Sequence, residues 1–193
     1  MDAALYRAAN RFADRTGFAH GLFRFYAKDG IALFAVLLLA GWWLGRTSTE
    51  PAHGVATAVW AGAGPMVALA LNQLIQTWVD RARPYDAIPN MHVLIDRTKD
   101  FTFASDHATV VGAVAAGLWF VDRRLGIVAW IGALLMAFSR VYVGAHYPGD
   151  VVAGLALGAI VVTALRRPAV WAIGWVTSRL AQSPLRPLVV KGD

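Results

Sequence analysis

Five long apolar segments constrain the fold of this chain more than any other feature of its sequence. They cover residues 31–44, 55–79, 108–121, 125–143 and 151–165. Each is apolar enough to cross a bilayer core of about 30 Å as an α-helix, and their many alanines and glycines permit close helix packing. The 193 residues are 58% hydrophobic with a mean hydropathy of +0.50, which is atypical of a soluble domain. The sequence therefore predicts an all-α, polytopic transmembrane helix bundle that forms a single domain over residues 1–193.

Residues 1–30 follow a different pattern, in which apolar side chains such as Phe12 alternate with charged ones such as Arg11. This alternation is typical of an amphipathic helix at a membrane interface. A short sixth span in the same region is the alternative that the sequence leaves open. Residues 169–181 have a similar pattern, which predicts a second interfacial helix near the C-terminus.

The distribution of arginines predicts how the chain is oriented in a membrane. Residues 122–124 and the segment from residue 166 onward are rich in arginine, and such segments remain on the cytoplasmic side. Five crossings then place residues 80–107 and 144–150 together on the outer face. The formal net charge of +6 comes from arginines between apolar spans, so membrane lipids and phosphate, and not nucleic acid, are the expected partners.

Four reactive side chains, from the end of one apolar segment to the start of the next, mark a candidate catalytic site: Ser139, Arg140, His146 and Asp150. Polar groups beside a bilayer are costly and are therefore usually functional. The guanidinium fork of arginine suits phosphate. A carboxylate bonded to one imidazole nitrogen fixes the tautomer and leaves the other nitrogen free to attack. The alternative is that His146 only caps the following helix through Asp150.

Two further polar motifs lie at the same predicted membrane face. One directly precedes the apolar segment 108–121, and the other ends the apolar segment 55–79. Ser105 or Asp106 is a suitable N-cap, and the helix start behind it would bind an anion next to His107. Gln76 and Arg83 are seven residues apart and therefore share one face of a helix. Pro84 is expected to end this helix. Taken alone, the first motif could be a cap with an incidental histidine, and the second could be an arginine that extends to the membrane surface.

Metal binding is not expected from the sequence. It contains no carboxylate cluster and no His-x-x-x-His pair that would form a metal site. No other cofactor and no obligatory protein partner is indicated. Asp96 and Asp100 are expected to be solvated loop charges, and the alternative is that they line the entrance of the pocket.

Together the three motifs resemble those of the type-2 phosphatidic acid phosphatase superfamily of integral membrane lipid phosphatases. Its pattern is Lys-x6-Arg-Pro, then Pro-Ser-Gly-His, then Ser-Arg-x5-His-x3-Asp. The third motif matches at every defined position, the second matches at Ser105 and His107, and the first has Gln76 in place of lysine. The Ser-Asp-His version is similar to that of the bacitracin-resistance branch, the undecaprenyl-pyrophosphate phosphatases of bacterial cell-wall biogenesis.

The resemblance implies a metal-independent lipid phosphatase in a bacterial-type plasma membrane, with its active site on the outer (periplasmic or extracellular) side. His146 would form a phosphohistidine, Asp150 would orient it, and His107 would protonate the leaving oxygen and then activate water. The phosphate-binding residues would be Arg83, Arg140, Ser105, Gln76 and Ser139.

The implied reaction converts undecaprenyl pyrophosphate to undecaprenyl phosphate and inorganic phosphate. Phosphatidic acid or phosphatidylglycerol phosphate is the alternative substrate, and lipid-phosphate binding or transport without turnover is the alternative function. Gln76 is the main departure from the pattern, since its amide brings no positive charge to the phosphate.

Overall fold

All regular elements in residues 2–190, which the computed structural model describes, are helical. The helices are α1 (Asp2–Arg15), α2 (His20–Asp29), α3 (Ile31–Arg46), α4 (Pro51–Val79), α5 (Pro84–Ala87), α6 (Asp106–Val121), α7 (Arg123–Tyr142) and α8 (Pro148–Leu180). Of these, α4, α7 and α8 are long and apolar enough to cross a membrane, and α3 and α6 are shorter apolar helices. The predicted all-α transmembrane bundle is confirmed.

Helix α6 lies at the centre of the bundle and packs against α4, α7 and α8. Most of its side chains are buried, including Val111 and Leu118 at 0% exposure. Two glycines explain the close contacts. A Cβ atom on Gly112 would lie 2.7 Å from the carbonyl oxygen of Leu155 in α8, and one on Gly117 would lie 2.7 Å from the Cα of Ala61 in α4. Larger residues here would force the helices apart.

Capping residues end the helices so that the polar motifs meet at one end of the bundle. Asp122 accepts a hydrogen bond from the amide of Leu125 at 2.8 Å, which starts α7 directly after α6 ends. At the other end, the amide of Ser105 donates to the carbonyl of Asp150 at 3.1 Å. Segments 80–107 and 144–150 therefore lie side by side, as the five-span topology predicted.

The N-terminal helix α1 lies across this same end of the bundle. Its 14 residues span only about 21 Å, which is too short to cross a bilayer. Tyr6 Oη donates to the carbonyl of Gly144 at 3.2 Å, and Asn10 Nδ2 donates to the carbonyl of His92 at 2.6 Å. Residues 2–15 therefore form a helix on the end of the bundle and not a sixth span.

Two boundaries differ from the sequence-based prediction. Only Gly30 separates α2 from α3, and Tyr26 Oη donates to the carbonyl of Gly132 in α7 at 3.0 Å, so the first crossing begins in α2. The predicted separate helix at residues 169–181 is wrong, because α8 continues through Pro168 to Leu180. A proline removes one backbone hydrogen bond but does not stop a helix that packs on a neighbour.

Candidate active site

A cavity of about 310 Å³ opens at the end of the bundle where the polar motifs meet. Its walls come from α2, α4, α6, α7, the segments on either side of α5 and the loop that follows α7. Basic, acidic, amide, hydroxyl and apolar side chains all contribute. The lining residues include Arg24, Lys28, Gln76, Arg83, Ile95, Asp96, Asp100, Phe101, Asp106, His107, Arg140 and His146.

His146 lies in the loop between α7 and α8, and its imidazole is almost completely buried. Nδ1 is 3.0 Å from the carbonyl oxygen of Thr102. A carbonyl oxygen can only accept, so Nδ1 carries the hydrogen and Nε2 carries the lone pair. That lone pair faces Arg83 Nη1 and Arg140 Nη2, each 3.4 Å away. A nucleophilic nitrogen therefore lies between two fixed positive charges.

Protonation of His146 is disfavoured by its surroundings. The pKa of His146 is lowered to about 4, first by burial and then by the charges of Arg140 and Arg83, against the opposing effect of nearby Asp150. At neutral pH the imidazole is therefore uncharged, and Nε2 keeps the electron pair that a nucleophile needs.

Thr102 lies between His146 and Asp150, which the sequence predicted as a direct pair. Thr102 Oγ1 donates to Asp150 Oδ2 at 2.6 Å and lies 3.1 Å from His146 Nδ1. The distance from Nδ1 to Asp150 Oδ2 is 3.8 Å, too long for a hydrogen bond. The same carboxylate oxygen also accepts from the amide of Tyr147 at 2.9 Å. Asp150 thus caps α8 and reaches the histidine through the hydroxyl of Thr102.

A second ion pair holds Asp150 from its other side. Arg81 Nη1 donates to Asp150 Oδ1 at 2.6 Å, while Arg81 Nη2 donates to Asp2 Oδ2 at 2.6 Å. The other oxygen of Asp2 accepts from the amide of Gly149 at 2.9 Å. Helix α1 is therefore fastened to the start of α8 through charged groups. Arg81 and Thr102 are not among the defined positions of the three motifs, and no local sequence signal identifies Thr102.

Arg83 is already paired with a carboxylate. Its Nη2 donates to Asp100 Oδ2 at 2.8 Å, and its Nη1 donates to the carbonyl of Ala145 at 3.1 Å. Burial alone would raise the pKa of Asp100, but hydrogen bonds from Thr98 and Arg83 and the charge of Arg83 hold it below the usual value. Asp100 is thus a half-exposed loop charge that is paired with Arg83, and both Asp96 and Asp100 line the cavity.

The two predicted serines bind backbone groups instead of facing the cavity. Ser139 Oγ donates to the carbonyl of Leu135 at 2.7 Å within α7. Ser105 Oγ caps α6 and accepts from the amide of Ala108. Both serines are fully buried, and neither is among the residues of the 2–190 range that line the cavity. Serine hydroxyls at helix ends commonly bond to backbone groups of their own helix, and both hydroxyls are used in this way here.

Gln76 lines the cavity, but its amide is occupied. Nε2 donates to Asp106 Oδ1 at 2.7 Å and to the carbonyl of Ala104 at 3.1 Å, which uses both of its N–H groups. Asn72 Nδ2 donates to the same carboxylate oxygen at 2.7 Å. The chain departs from the family pattern at three positions, and one of them, Gln76, therefore contacts the other two, Ala104 and Asp106. His107 follows Asp106 in the first turn of α6 and lines the cavity.

Comparisons with known proteins agree with this geometry. Residues 57–175 match the family model of the PAP2 superfamily. Undecaprenyl-diphosphatase BcrC of Bacillus subtilis is 30% identical over 161 residues, which cover 83% of this chain and 80% of that protein. Decaprenylphosphoryl-5-phosphoribose phosphatase of Mycobacterium tuberculosis is 40% identical over 102 residues, 52% of this chain and 55% of that protein. The crystal structure of Aquifex aeolicus LpxE has a similar fold, with a TM-score of 0.64 at 20% identity over 92% of this chain and 94% of that one.

Proposed function

Since the chain belongs to the PAP2 superfamily and is a membrane lipid phosphatase, we propose that it removes the terminal phosphate of a polyprenyl diphosphate such as undecaprenyl pyrophosphate. One observation carries this proposal. The unprotonated Nε2 of His146 lies 3.4 Å from each of two guanidinium groups, Arg83 and Arg140. A phosphoryl group that bridges the two arginines would present its phosphorus to this nitrogen.

In the proposed reaction, the lone pair of Nε2 attacks the terminal phosphorus. The new N–P bond forms as the bond to the bridging oxygen breaks, and the polyprenyl monophosphate leaves with that electron pair. Water then attacks the phosphohistidine, which releases inorganic phosphate and restores His146. Arg83 and Arg140 stabilise the charge on the phosphoryl oxygens in both steps. Because these arginines supply the positive charge, no step requires a metal.

His107 is proposed to transfer the protons. It lines the same cavity, in the first turn of α6. It would give a proton to the leaving oxygen in the first step and accept one from water in the second. A diphosphate leaves as a stable phosphate anion and needs little protonation, whereas an alkoxide leaving group needs a full proton.

The lipid part of the substrate would extend past the apolar side chains of the cavity wall. Ile95 and Phe101 line the cavity, and the exposed fraction of Phe101 is 37%, so both can contact the first prenyl units. The name of the related BcrC protein, an undecaprenyl-diphosphatase, also supports the diphosphate. A phosphomonoester such as phosphatidic acid is the second candidate.

Phosphate release from undecaprenyl pyrophosphate by purified protein in detergent tests this proposal. Wild type, His146→Ala and His53→Ala are compared, each with and without a chelator. His53 is a matched control because it lies in α4 at the end of the bundle away from the cavity. We expect activity in wild type and His53→Ala, with and without chelator, and none in His146→Ala. If His146→Ala were active, His146 would not be the nucleophile. Loss of activity on chelation would refute the metal-free mechanism. Lipid binding without phosphate release would favour a binding protein over an enzyme.

His107→Ala separates the two substrate classes. We expect it to reduce cleavage of a phosphomonoester at least tenfold more than cleavage of the diphosphate, since general acid catalysis is typically worth about 10²–10⁴-fold where it is needed. Equal losses on both substrates would contradict the proposed role as an acid toward the leaving group.

An active site on the outer membrane face is also proposed, because the arginines at residues 123–124 and 166–167 lie away from the cavity. The chain contains no cysteine, so single cysteines can report the orientation without a background. We expect Thr98→Cys to react with an impermeant maleimide in intact cells and Ser48→Cys to react only after lysis. The reverse pattern would place the cavity in the cytoplasm.

A further inference from the structure

Two basic side chains of α2, which belong to none of the three motifs, form part of the cavity wall. Arg24 and Lys28 both line the cavity. They are four residues apart, which places them one above the other on the same face of the helix. Both are exposed, and within residues 2–190 neither forms an ion pair with a carboxylate. Their charges are therefore available to a ligand.

Helix α2 is held against the phosphate-binding arginines by direct contacts. The carbonyl of Ala27 accepts a hydrogen bond from Arg140 Nη1 at 3.1 Å, and Tyr26 Oη is bonded to the backbone of α7. Ala27 lies between Arg24 and Lys28 in the helix and is fully buried. The two cations are thus placed beside the reacting position by a fixed contact.

The inner part of the cavity carries too little charge for a diphosphate. Arg83 and Arg140 provide two positive charges, but Asp100 already neutralises Arg83 through a 2.8 Å ion pair. The wall formed by α4 adds no positive charge, because the amide of Gln76 is neutral, and this amide donates to the carboxylate of Asp106. A diphosphate ester carries roughly three negative charges at neutral pH, about one more than a monoester. A second phosphate therefore needs cations from another part of the cavity.

We propose that Arg24 and Lys28 form a subsite for the second, lipid-linked phosphate of a diphosphate substrate. This inference rests on the proposed function, and the subsite would make the enzyme selective for diphosphates over phosphomonoesters. The terminal phosphate lies between Arg83 and Arg140 in front of His146, and the second phosphate lies against α2. When the bridging bond breaks, the two cations stabilise the charge that develops on the leaving phosphate. A phosphomonoester places no group at this position.

A kinetic comparison of two substrates with the same lipid tests the subsite. The double variant Arg24→Gln/Lys28→Gln is assayed for phosphate release from farnesyl diphosphate and from farnesyl monophosphate. The control is Arg7→Gln/Arg11→Gln, which removes two exposed arginines with the same spacing from α1, outside the cavity. It corrects for general attraction between a basic surface and an anionic substrate.

We expect kcat/KM for the diphosphate to fall at least about tenfold in the α2 variant, because charge-assisted contacts to the second phosphate are lost. For the monophosphate we expect a change of less than about twofold. The α1 control should leave both values within twofold. Equal losses on both substrates, or a similar loss in the control, would overturn the subsite.

A binding measurement distinguishes this inference from the proposed catalysis. In His146→Ala, which is not expected to turn over, the dissociation constants of a farnesyl methylenediphosphonate and a farnesyl phosphonate are compared with and without the α2 substitutions. The subsite predicts weaker binding of the diphosphonate only. This result would hold even if wild type released no phosphate, whereas unchanged diphosphonate binding would refute the subsite in a fully active enzyme.

Discussion

The hydroxyl of Thr102 is the group whose removal tests the arrangement of the site most directly. Thr102→Val keeps the shape of the side chain and deletes the oxygen that donates to Asp150 at 2.6 Å and lies 3.1 Å from His146 Nδ1. The side chain is fully buried, so solvent does not replace the lost donor. We therefore expect Thr102→Val to slow catalysis by loosening the imidazole.

The size of the effect follows from the contacts that are lost and kept. A hydrogen bond to a charged group contributes about 1.5–3 kcal/mol. Asp150 keeps the donors Arg81 and Tyr147, and His146 Nδ1 keeps the carbonyl of Thr102, so the tautomer is retained. We expect kcat to fall roughly 10–100-fold, the equivalent of about 1.4–2.7 kcal/mol. KM should change little, because Thr102 does not line the cavity within the described part of the chain.

The assay is steady-state phosphate release from a polyprenyl diphosphate in detergent, with kcat and KM determined separately. Thr57→Val is the matched control, because Thr57 is also buried and its hydroxyl donates to the carbonyl of His53 at 2.9 Å in α4. Thr102→Ser should recover most of the activity, since it restores the hydroxyl. A kcat of Thr102→Val within twofold of the Thr57→Val value would refute the bridging role.

Three further predictions concern packing, charge and pH. Gly112→Ala should lower the free energy of unfolding by about 1–3 kcal/mol, because the new Cβ would lie 2.7 Å from a backbone carbonyl of α8. The control Gly174→Ala should leave thermal unfolding unchanged, because no atom lies within 4 Å of the new Cβ. Gln76→Lys alone should change KM for a phosphomonoester less than about twofold, because the lysine would pair with Asp106. Gln76→Lys/Asp106→Gly should lower this KM roughly tenfold, because the lysine would then be free to bind phosphate. Additive effects in this double-mutant cycle would contradict the coupling between residues 76 and 106. The pKa of His146 is about 4 in the folded protein and about 6.5 in the unfolded chain, so between these pH values only the unfolded state binds the extra proton, and stability is lost as pH falls from 6.5 toward 4. His146→Gln should therefore reduce the difference between the melting temperatures at pH 7 and pH 5. An unchanged difference would contradict the lowered pKa.

Much of the fold was predictable because its causes are local. Asp122 and the prolines at residues 84 and 148 fix where helices end and begin, and the five apolar segments fix the number of crossings. With these ends placed, the meeting of Arg83, His107 and His146 at one cavity follows from the order of the helices. The length of α8 was not predicted, because its last turns are stabilised by contacts with α4, such as the 2.8 Å bond from Thr177 Oγ1 to Ala52.

Other parts of the site depend on contacts between distant residues. The loop of residues 88–105 has no regular helix in the described structure, and its sequence has no periodicity that would reveal Thr102 or the pairing of Asp100 with Arg83. The amphipathic pattern of residues 1–30 was evident, but the position of Arg24 and Lys28 depends on the bond between Ala27 and Arg140 across 113 positions of the chain. Residue types alone do not specify such long-range contacts.

The ion pair between Arg83 and Asp100 means that a carboxylate of the protein already occupies this guanidinium. In the proposed reaction, a phosphate at Arg83 would take the place of Asp100. The contact would then be an exchange of partners, and its net free energy would be the difference between two pairings. The same carboxylate, which is half exposed on a loop, can return when the phosphate is released. Turnover would then avoid a trapped product, because the group that the substrate displaces also helps to displace inorganic phosphate.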